Sequence, residues 1–265
     1  MLRVDNLELS FGGIRAVDGI SLTIEKGSIT GLIGPNGAGK TTLFNVIAGH
    51  YKPTSGHVWL DGREVTGLPP HELFKQGLLR TFQIAHEFAT LTVRENLMVV
   101  PDHQPGESLL DVWLRPAKIR AREEEVRARA TDVIDFLQLS HVSEELAGNL
   151  SGGQKKLLEI GRTMMTDANI VFLDEVGAGV NRTLLNTVGD AIIRLNKERG
   201  YTFCMIEHDM DFISRLCDPV IVMAEGKILA QGSAANVKTN EHVIEAYLGR
   251  GLKQRPTSKV ESALS

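Results

Sequence analysis

Gly34-Pro35-Asn36-Gly37-Ala38-Gly39-Lys40-Thr41 decides the reading of this chain. Two glycines with four residues between them, followed at once by Lys-Thr, form the phosphate-loop pattern. The run Ser28-Ile29-Thr30-Gly31-Leu32-Ile33 before it is strand-like, so the context is strand, loop, helix. Glycines let backbone N–H groups curl around phosphate oxygens, and a lysine brings a point charge to the outer phosphates. A threonine next to it supplies a hydroxyl for Mg²⁺. Gly34 to Thr42, with Thr42 continuing the block, is therefore the expected nucleotide site, and Thr41 an expected metal ligand.

Working outward, Leu2 to Phe11 and Ile20 to Ile24 alternate with period two, and Val58-Trp59-Leu60 ends at the turn signal Asp61-Gly62. These predict antiparallel strands flanking the loop. Ile170 to Leu173, Phe203 to Ile206 and Val220 to Met223 are continuous apolar runs separated by helical stretches, as expected for a parallel sheet covered on both faces. Ligands of such sheets sit beyond the carboxyl ends of the strands, where Gly34, Asp174 and His208 fall. From about Thr92 to Thr166 the signals turn helical. Thr92-Val93-Arg94-Glu95 reads as a capping box, and Ile119, Val126 and Val133 recur every seven positions. Glu123 with Arg127 and Glu125 with Arg129 are spaced for i,i+4 pairs. The span from Pro101 to Pro116 reads as a loop insertion. One domain over 1–249, with the helical part inserted at about 86–166, and a flexible tail over 250–265 are the predicted organisation.

Bulk properties narrow the partners. A chain of 265 residues is long enough for one large α/β domain, and a formal net charge of −4 supplies no general basic field for nucleic acid, so none is expected. Cys204 and Cys217, the only cysteines, read as buried thiols in a reducing cytosol. The N-terminus alternates like a strand and does not read as a signal peptide. No apolar run approaches the roughly 20 residues needed to cross a bilayer, so any membrane association is expected to go through a partner.

Leu150-Ser151-Gly152-Gly153-Gln154 makes the reading specific. Ser151 and Gln154 fit a capping box, and the N–H groups and positive dipole end of the helix they open suit an anion. Together with the phosphate loop before it and Asp174-Glu175 after it, the segment resembles that of ABC-type ATPases. The resemblance implies an α/β P-loop NTPase with a mostly parallel core sheet, an antiparallel β subdomain and a helical subdomain. It also implies that Ser151, Gly152, Gly153 and Gln154 grip the γ-phosphate of ATP held by a second ABC ATPase subunit in a head-to-tail dimer. By the same resemblance Asp174 belongs to the Mg²⁺ shell and Glu175 orients and deprotonates the attacking water. Gln83, closing Arg80-Thr81-Phe82-Gln83, resembles the family's glutamine loop, which implies contact with Mg²⁺ and that water. His208 stands where the family has its switch histidine, which implies a bond to the γ-phosphate that keeps the Glu175 region in line. Asn181 lies in the loop that crosses to the partner's site and also fits a helix N-cap, and Phe11 stands where the family stacks an aromatic on adenine.

The resemblance spans Leu2 to Leu248. Phe11 to Val17, the insertion after Val100 and the ending Val243 to Gly249 are most similar to ATP-binding subunits of importers for branched-chain amino acids and related polar solutes. The function implied is ATP binding and hydrolysis at the cytoplasmic face of the membrane, driving permease subunits that a solute-binding protein supplies. The alternatives are a nucleotide-gated module with little hydrolysis, and an importer for urea or another solute. Val176 departs from the family's proline after Glu175. Proline would hold Glu175 extended and remove an N–H, whereas valine leaves both freer. With both carboxylates intact, and a β-branched residue still favouring extended backbone, hydrolysis is expected to survive. Asn181-Arg182 likewise stands where Asn-Pro is usual.

Overall fold

A computed structural model of the chain describes residues 1–81, 87–101, 116–177 and 180–248. Gln83, Ala178, Gly179, most of the 101–116 insertion and the 250–265 tail thus lie outside the described residues.

Strands β1 (Leu2–Phe11) and β2 (Ile14–Ile24) form an antiparallel hairpin, followed by β3 (Ile29–Ile33) and helix α1 (Lys40–Ile47). Next come β4 (Ser55–Leu60), β5 (Arg63–Glu64), α2 (Pro70–Lys75) and β6 (Leu78–Arg80). The helical part holds α3 (Val93–Met98), α4 (Pro116–Phe136) and α5 (Gly152–Met164). The chain then alternates through β7 (Ile170–Asp174), α6 (Arg182–Arg199), β8 (Thr202–Ile206), α7 (Met210–Leu216) and β9 (Val220–Ala224). It ends with β10 (Lys227–Gly232), α8 (Ala234–Lys238) and α9 (Glu241–Leu248).

Among the described residues there are two sheets. The smaller is antiparallel, in the order β2-β1-β4-β5. The larger runs β10-β9-β3-β8-β7-β6 and is parallel except for β10. Strand β2 starts at Ile14 rather than at Ile20 as the period-two pattern predicts. Gly12, at φ 58°, makes the turn, and Ile14 and Arg15 are exposed, so the first half of the strand carries no core-facing alternation.

The continuous apolar runs have the cause expected of them: alternate residues serve different cores. On β7, Val171 and Leu173 join a cluster with α4, α5 and α6, while Phe172 faces the other way into a cluster shared with α1 and the antiparallel sheet. On β8, Phe203 and Met205 divide from Cys204 and Ile206 in the same manner. Both cysteines are buried thiols, and burial pushes Cys217 up to about 12. Thr92 caps α3 in a reciprocal box with Glu95, as predicted. On α4, Val126 and Val133 are buried as their spacing predicts. The expected Glu125–Arg129 pair is replaced: Glu125 binds Arg122 at 2.9 Å, and Arg129 donates to the carbonyls of Met164 and Thr166 at 2.9 and 2.7 Å. Terminal helix carbonyls lack partners within the helix, which gives Arg129 the stronger demand to meet.

Neighbouring strands β3, β8 and β7 run parallel and in register, with Leu32 opposite Ile206 and Ile206 opposite Asp174. The segments that leave them therefore emerge side by side at one edge. Phe172 is fully buried and its ring centroid lies 4.6 Å from that of Phe44 on α1. Phe172→Ala is expected to lower unfolding stability by about 3–5 kcal/mol, measured by urea denaturation. A loss below about 1 kcal/mol would mean that α1 does not depend on this contact.

Candidate functional site

The loop after β3 is shaped by backbone contacts that leave no room for a side chain. Gly34 has φ 148°, and a Cβ there would lie 2.1 Å from the carbonyl oxygen of Met223 on β9. Gly39, at φ 96°, caps α1 with no side-chain acceptor, and a Cβ there would lie 2.2 Å from the carbonyl oxygen of Ala16. The first-turn N–H groups of α1 are thus left for an anion. Lys40 is buried, with Nζ donating to the carbonyls of Gly34 at 2.8 Å and Pro35 at 3.1 Å, so the ammonium stands across the loop. Burial pushes its pKa below the usual lysine value, and the carboxylates of Glu175 and Asp174 act in the opposite direction. A cradle of free N–H groups with one held cation fits a chain of phosphates.

Glu175 and His208 face this loop across a cleft of about 600 Å³, lined also by Ile14, Arg15, Ala16, Asn36 to Thr42, Glu225 and Gly226. Nε2 of His208 lies 3.0 Å from Oε1 of Glu175. The imidazole thus fixes the direction of the carboxylate, and in the neutral ring Nε2–H donates. Glu175 is not extended: its φ is 51°, in the left-handed region, while its N–H still bonds the carbonyl of Ile206 at 3.0 Å. Such a conformation costs a non-glycine residue about 1–2 kcal/mol. Val176, 5% exposed, packs into the core directly after it. The freedom that valine leaves in place of proline is used, and the expected extended backbone at Glu175 is corrected.

Asp174 closes β7, a place where a carboxylate is ordinarily solvated. It is buried, and its Oδ2 accepts from Arg80 Nη2 at 2.7 Å, both side chains being under 8% exposed. Arg80, at the end of β6, also donates to Asn45 Oδ1 on α1. Sequence reading missed Arg80; a lone arginine closing a three-residue strand carries no pattern, although it stands three residues before Gln83. Among the described residues no group of three or more Asp, Glu, His or Cys gathers as a metal cage. Mg²⁺ binds through one or two protein oxygens plus substrate phosphates rather than such a cage. The hydroxyl of Thr41 at the cleft, with the Asp174 carboxylate at the adjoining strand end, fits that kind of ion.

The remaining predicted residues fall in three places. Ser151 caps α5 in a reciprocal box with Gln154, its N–H donating to Gln154 Oε1 at 2.9 Å. The lining of the cleft includes no residue of 151–154, so this helix tip is not brought to Lys40 of its own chain. Gly153 has a packing role that the sequence did not reveal, since a Cβ there would lie 2.6 Å from Leu184 on α6. Asn181 caps α6, accepting from the N–H of Leu184 at 2.9 Å. Phe11 is 48% exposed at the hairpin end, its ring edge-on to Tyr51 at 5.4 Å, and it is not among the cleft residues.

Residues 17–178 match the family model described as ABC transporter, and residues 227–253 the one described as branched-chain amino acid ATP-binding cassette transporter. A probable branched-chain amino acid transport ATP-binding protein, LivG, of Archaeoglobus fulgidus is 40% identical, the match covering 94% of this chain and 95% of the relative. The high-affinity branched-chain amino acid transport ATP-binding protein BraF of Pseudomonas aeruginosa is 38% identical over 94% and 98% of the two chains. Among solved structures, a nucleotide-free ATP-binding cassette from an ABC transporter superposes with a TM-score of 0.81 at 38% identity, over 94% of this chain and 99% of that one.

Removing Arg80 leaves the Asp174 carboxylate buried without its cation. Arg80→Met is expected to lower stability by about 3–5 kcal/mol, and the double variant with Asp174→Asn to lose less than the sum of the two single losses. Additive losses in urea denaturation would show that the two side chains do not act as a pair.

Proposed function

The chain belongs to the ABC transporter ATP-binding subunits, importer-type proteins that bind and hydrolyse ATP, and on that premise we propose that it powers uptake of branched-chain amino acids or a related small polar solute. It does so through separate permease subunits at the cytoplasmic face of the membrane, with a solute-binding protein delivering cargo to them. The match over 227–253 supports the solute class. Among the described residues no helix is long and apolar enough to cross a membrane.

One observation carries the mechanism: the Lys40 loop and the Glu175–His208 pair share a single cleft, while the Ser151 helix tip stands apart from it. A complete site then takes two chains, either two copies or this chain and a related one. The loop from Gly34 to Thr42 holds the phosphates, with Lys40 Nζ exchanging the Gly34 and Pro35 carbonyls for phosphate oxygens. Ser151 and the N–H groups opening the 13-residue helix α5 hold the γ-phosphate from the other side. Glu175 orients the attacking water and takes its proton, and His208 holds Glu175 while reaching the γ-phosphate. Mg²⁺, when bound, neutralises charge on the phosphate oxygens, and Thr41, Asp174 and Gln83 are the residues that would hold it. Asn181 carries the crossing loop to the partner. Phe11, with Tyr51 against its ring, is the aromatic offered to adenine.

The left-handed backbone at Glu175, next to Val176, favours one second reading, a module that closes on ATP and scarcely hydrolyses it. Phosphate release separates the two. Glu175→Gln is expected to cut turnover by at least about 100-fold, and equal rates in the two proteins would favour the binding module. In proteoliposomes with permease and solute-binding partners, leucine, isoleucine or valine is expected to stimulate ATP turnover. Stimulation by a different solute alone would reassign the cargo.

A further inference from the structure

Glu207 directly follows β8, one residue before His208, and it is 5% exposed. A buried carboxylate needs strong partners, yet among the described residues no lysine or arginine pairs with it, and both of its hydrogen bonds come from backbone N–H groups. Oε1 accepts from Gly177 at 2.7 Å, and Oε2 accepts from His208 at 3.3 Å. Gly177 begins the stretch that leads through 178 and 179 to Asn181. The fit is close: a Cβ at Gly177 would stand 3.2 Å from Leu185 Cδ1 and 3.4 Å from Oε1 of Glu207 itself. Glu207 also lines a second cavity of about 410 Å³, on the far side of the Glu175–His208 pair, together with Val180 and Arg182.

We propose that Glu207 is a positioning residue, a two-oxygen bracket that ties the backbone of His208 to the segment leaving Glu175 for the neighbouring subunit. Only a carboxylate offers an acceptor at both ends. A glutamine of the same shape presents an NH₂ to one of the two N–H groups, and serine or threonine has a single oxygen. When His208 responds to a γ-phosphate, the bracket carries the displacement to the backbone of Gly177. The inference rests on the ATPase reading above.

The bracket is titratable. Burial pushes Glu207 above the usual carboxylate range, and Gly177 and His208, through their N–H groups, hold it down. The groups facing it are His208, which favours the ionised form, and Glu175, which opposes it, with Cys217 close by and Asp209 and Arg182 around the cavity. Above its pKa both oxygens accept. As pH falls through that pKa one oxygen gains a proton and one N–H loses its acceptor, so activity should fall on an acid limb lying above the ordinary carboxylate range.

Steady-state phosphate release from Mg-ATP by the full chain, measured across pH for wild type, Glu207→Gln and Glu207→Asp, tests this. Glu207→Gln should lose at least 10-fold in kcat with KM for ATP within twofold, and its acid limb should shift from that of wild type. Glu207→Asp, which keeps both acceptors, should recover at least threefold over Glu207→Gln. A Glu207→Gln enzyme with wild-type kcat and pH profile overturns the proposal, as does a folded Glu207→Asp no better than Glu207→Gln. If Glu207→Gln does not fold, hydrogen–deuterium exchange in wild type decides. Protection of the 175–181 stretch, corrected for intrinsic exchange, should fall as pH drops through the acid limb, and protection independent of pH overturns the bracket. Failure of the ATPase reading looks different, because wild type would then turn over no faster than Glu175→Gln.

Discussion

The carbonyl oxygens of Met223 and Ala16 stand about where side chains at Gly34 and Gly39 would begin, 2.1 and 2.2 Å from the positions of their Cβ atoms. That steric constraint fixes the loop bearing Lys40. Because the loop is pressed against β9 and β2, its N–H groups are presented without side chains in front of them, and the lysine ammonium has carbonyls to rest on. The sheet supplies the rest of the arrangement. Parallel register between β3, β8 and β7 delivers Gly34, Glu207-His208 and Asp174-Glu175 to one edge, so chemistry scattered over more than 170 positions of sequence becomes local.

Burial of charge is the second organising feature. Lys40, Asp174 and Glu207 are all under 9% exposed, as is the side chain of Arg80 that pairs with Asp174, and each is held by a specific partner instead of by water. Buried ionic groups are seldom the most stabilising choice for their positions. Lys40 lines the cleft, and Asp174 and Glu207 directly precede Glu175 and His208, which line it too, so charge in fixed directions can act on an anion there with little screening. The left-handed backbone at Glu175 belongs to the same pattern of local cost at a working site. Val176, buried beneath it, anchors that turn in the core.

Much of this was legible in the sequence because it rests on local patterns. The glycine spacing of the loop, the continuous apolar runs of β7, β8 and β9, and the capping boxes at Thr92 and Ser151 each encode backbone geometry within a few residues. What escaped reading depends on contacts between distant segments. Arg80 finds Asp174 across 94 positions, and Glu207 finds Gly177 across 30. Nothing in the neighbourhood of either residue announces its partner. The start of β2 was missed because Ile14 and Arg15 face a cleft instead of a core, which removes the alternation that betrays a strand. On α4, i,i+4 spacing named a partner for Arg129, but the carbonyls at and just past the end of α5 made the stronger demand.

Sharing of one triphosphate by two chains is the claim on which the functional reading stands. A crystal structure of the Glu175→Gln protein with Mg-ATP, together with any companion ATPase subunit, tests it most directly. The expected result is a head-to-tail pair with the Ser151 hydroxyl about 3 Å from the γ-phosphate held by the neighbour's lysine loop. Nucleotide bound at Lys40 with Ser151 turned away from every γ-phosphate would contradict it.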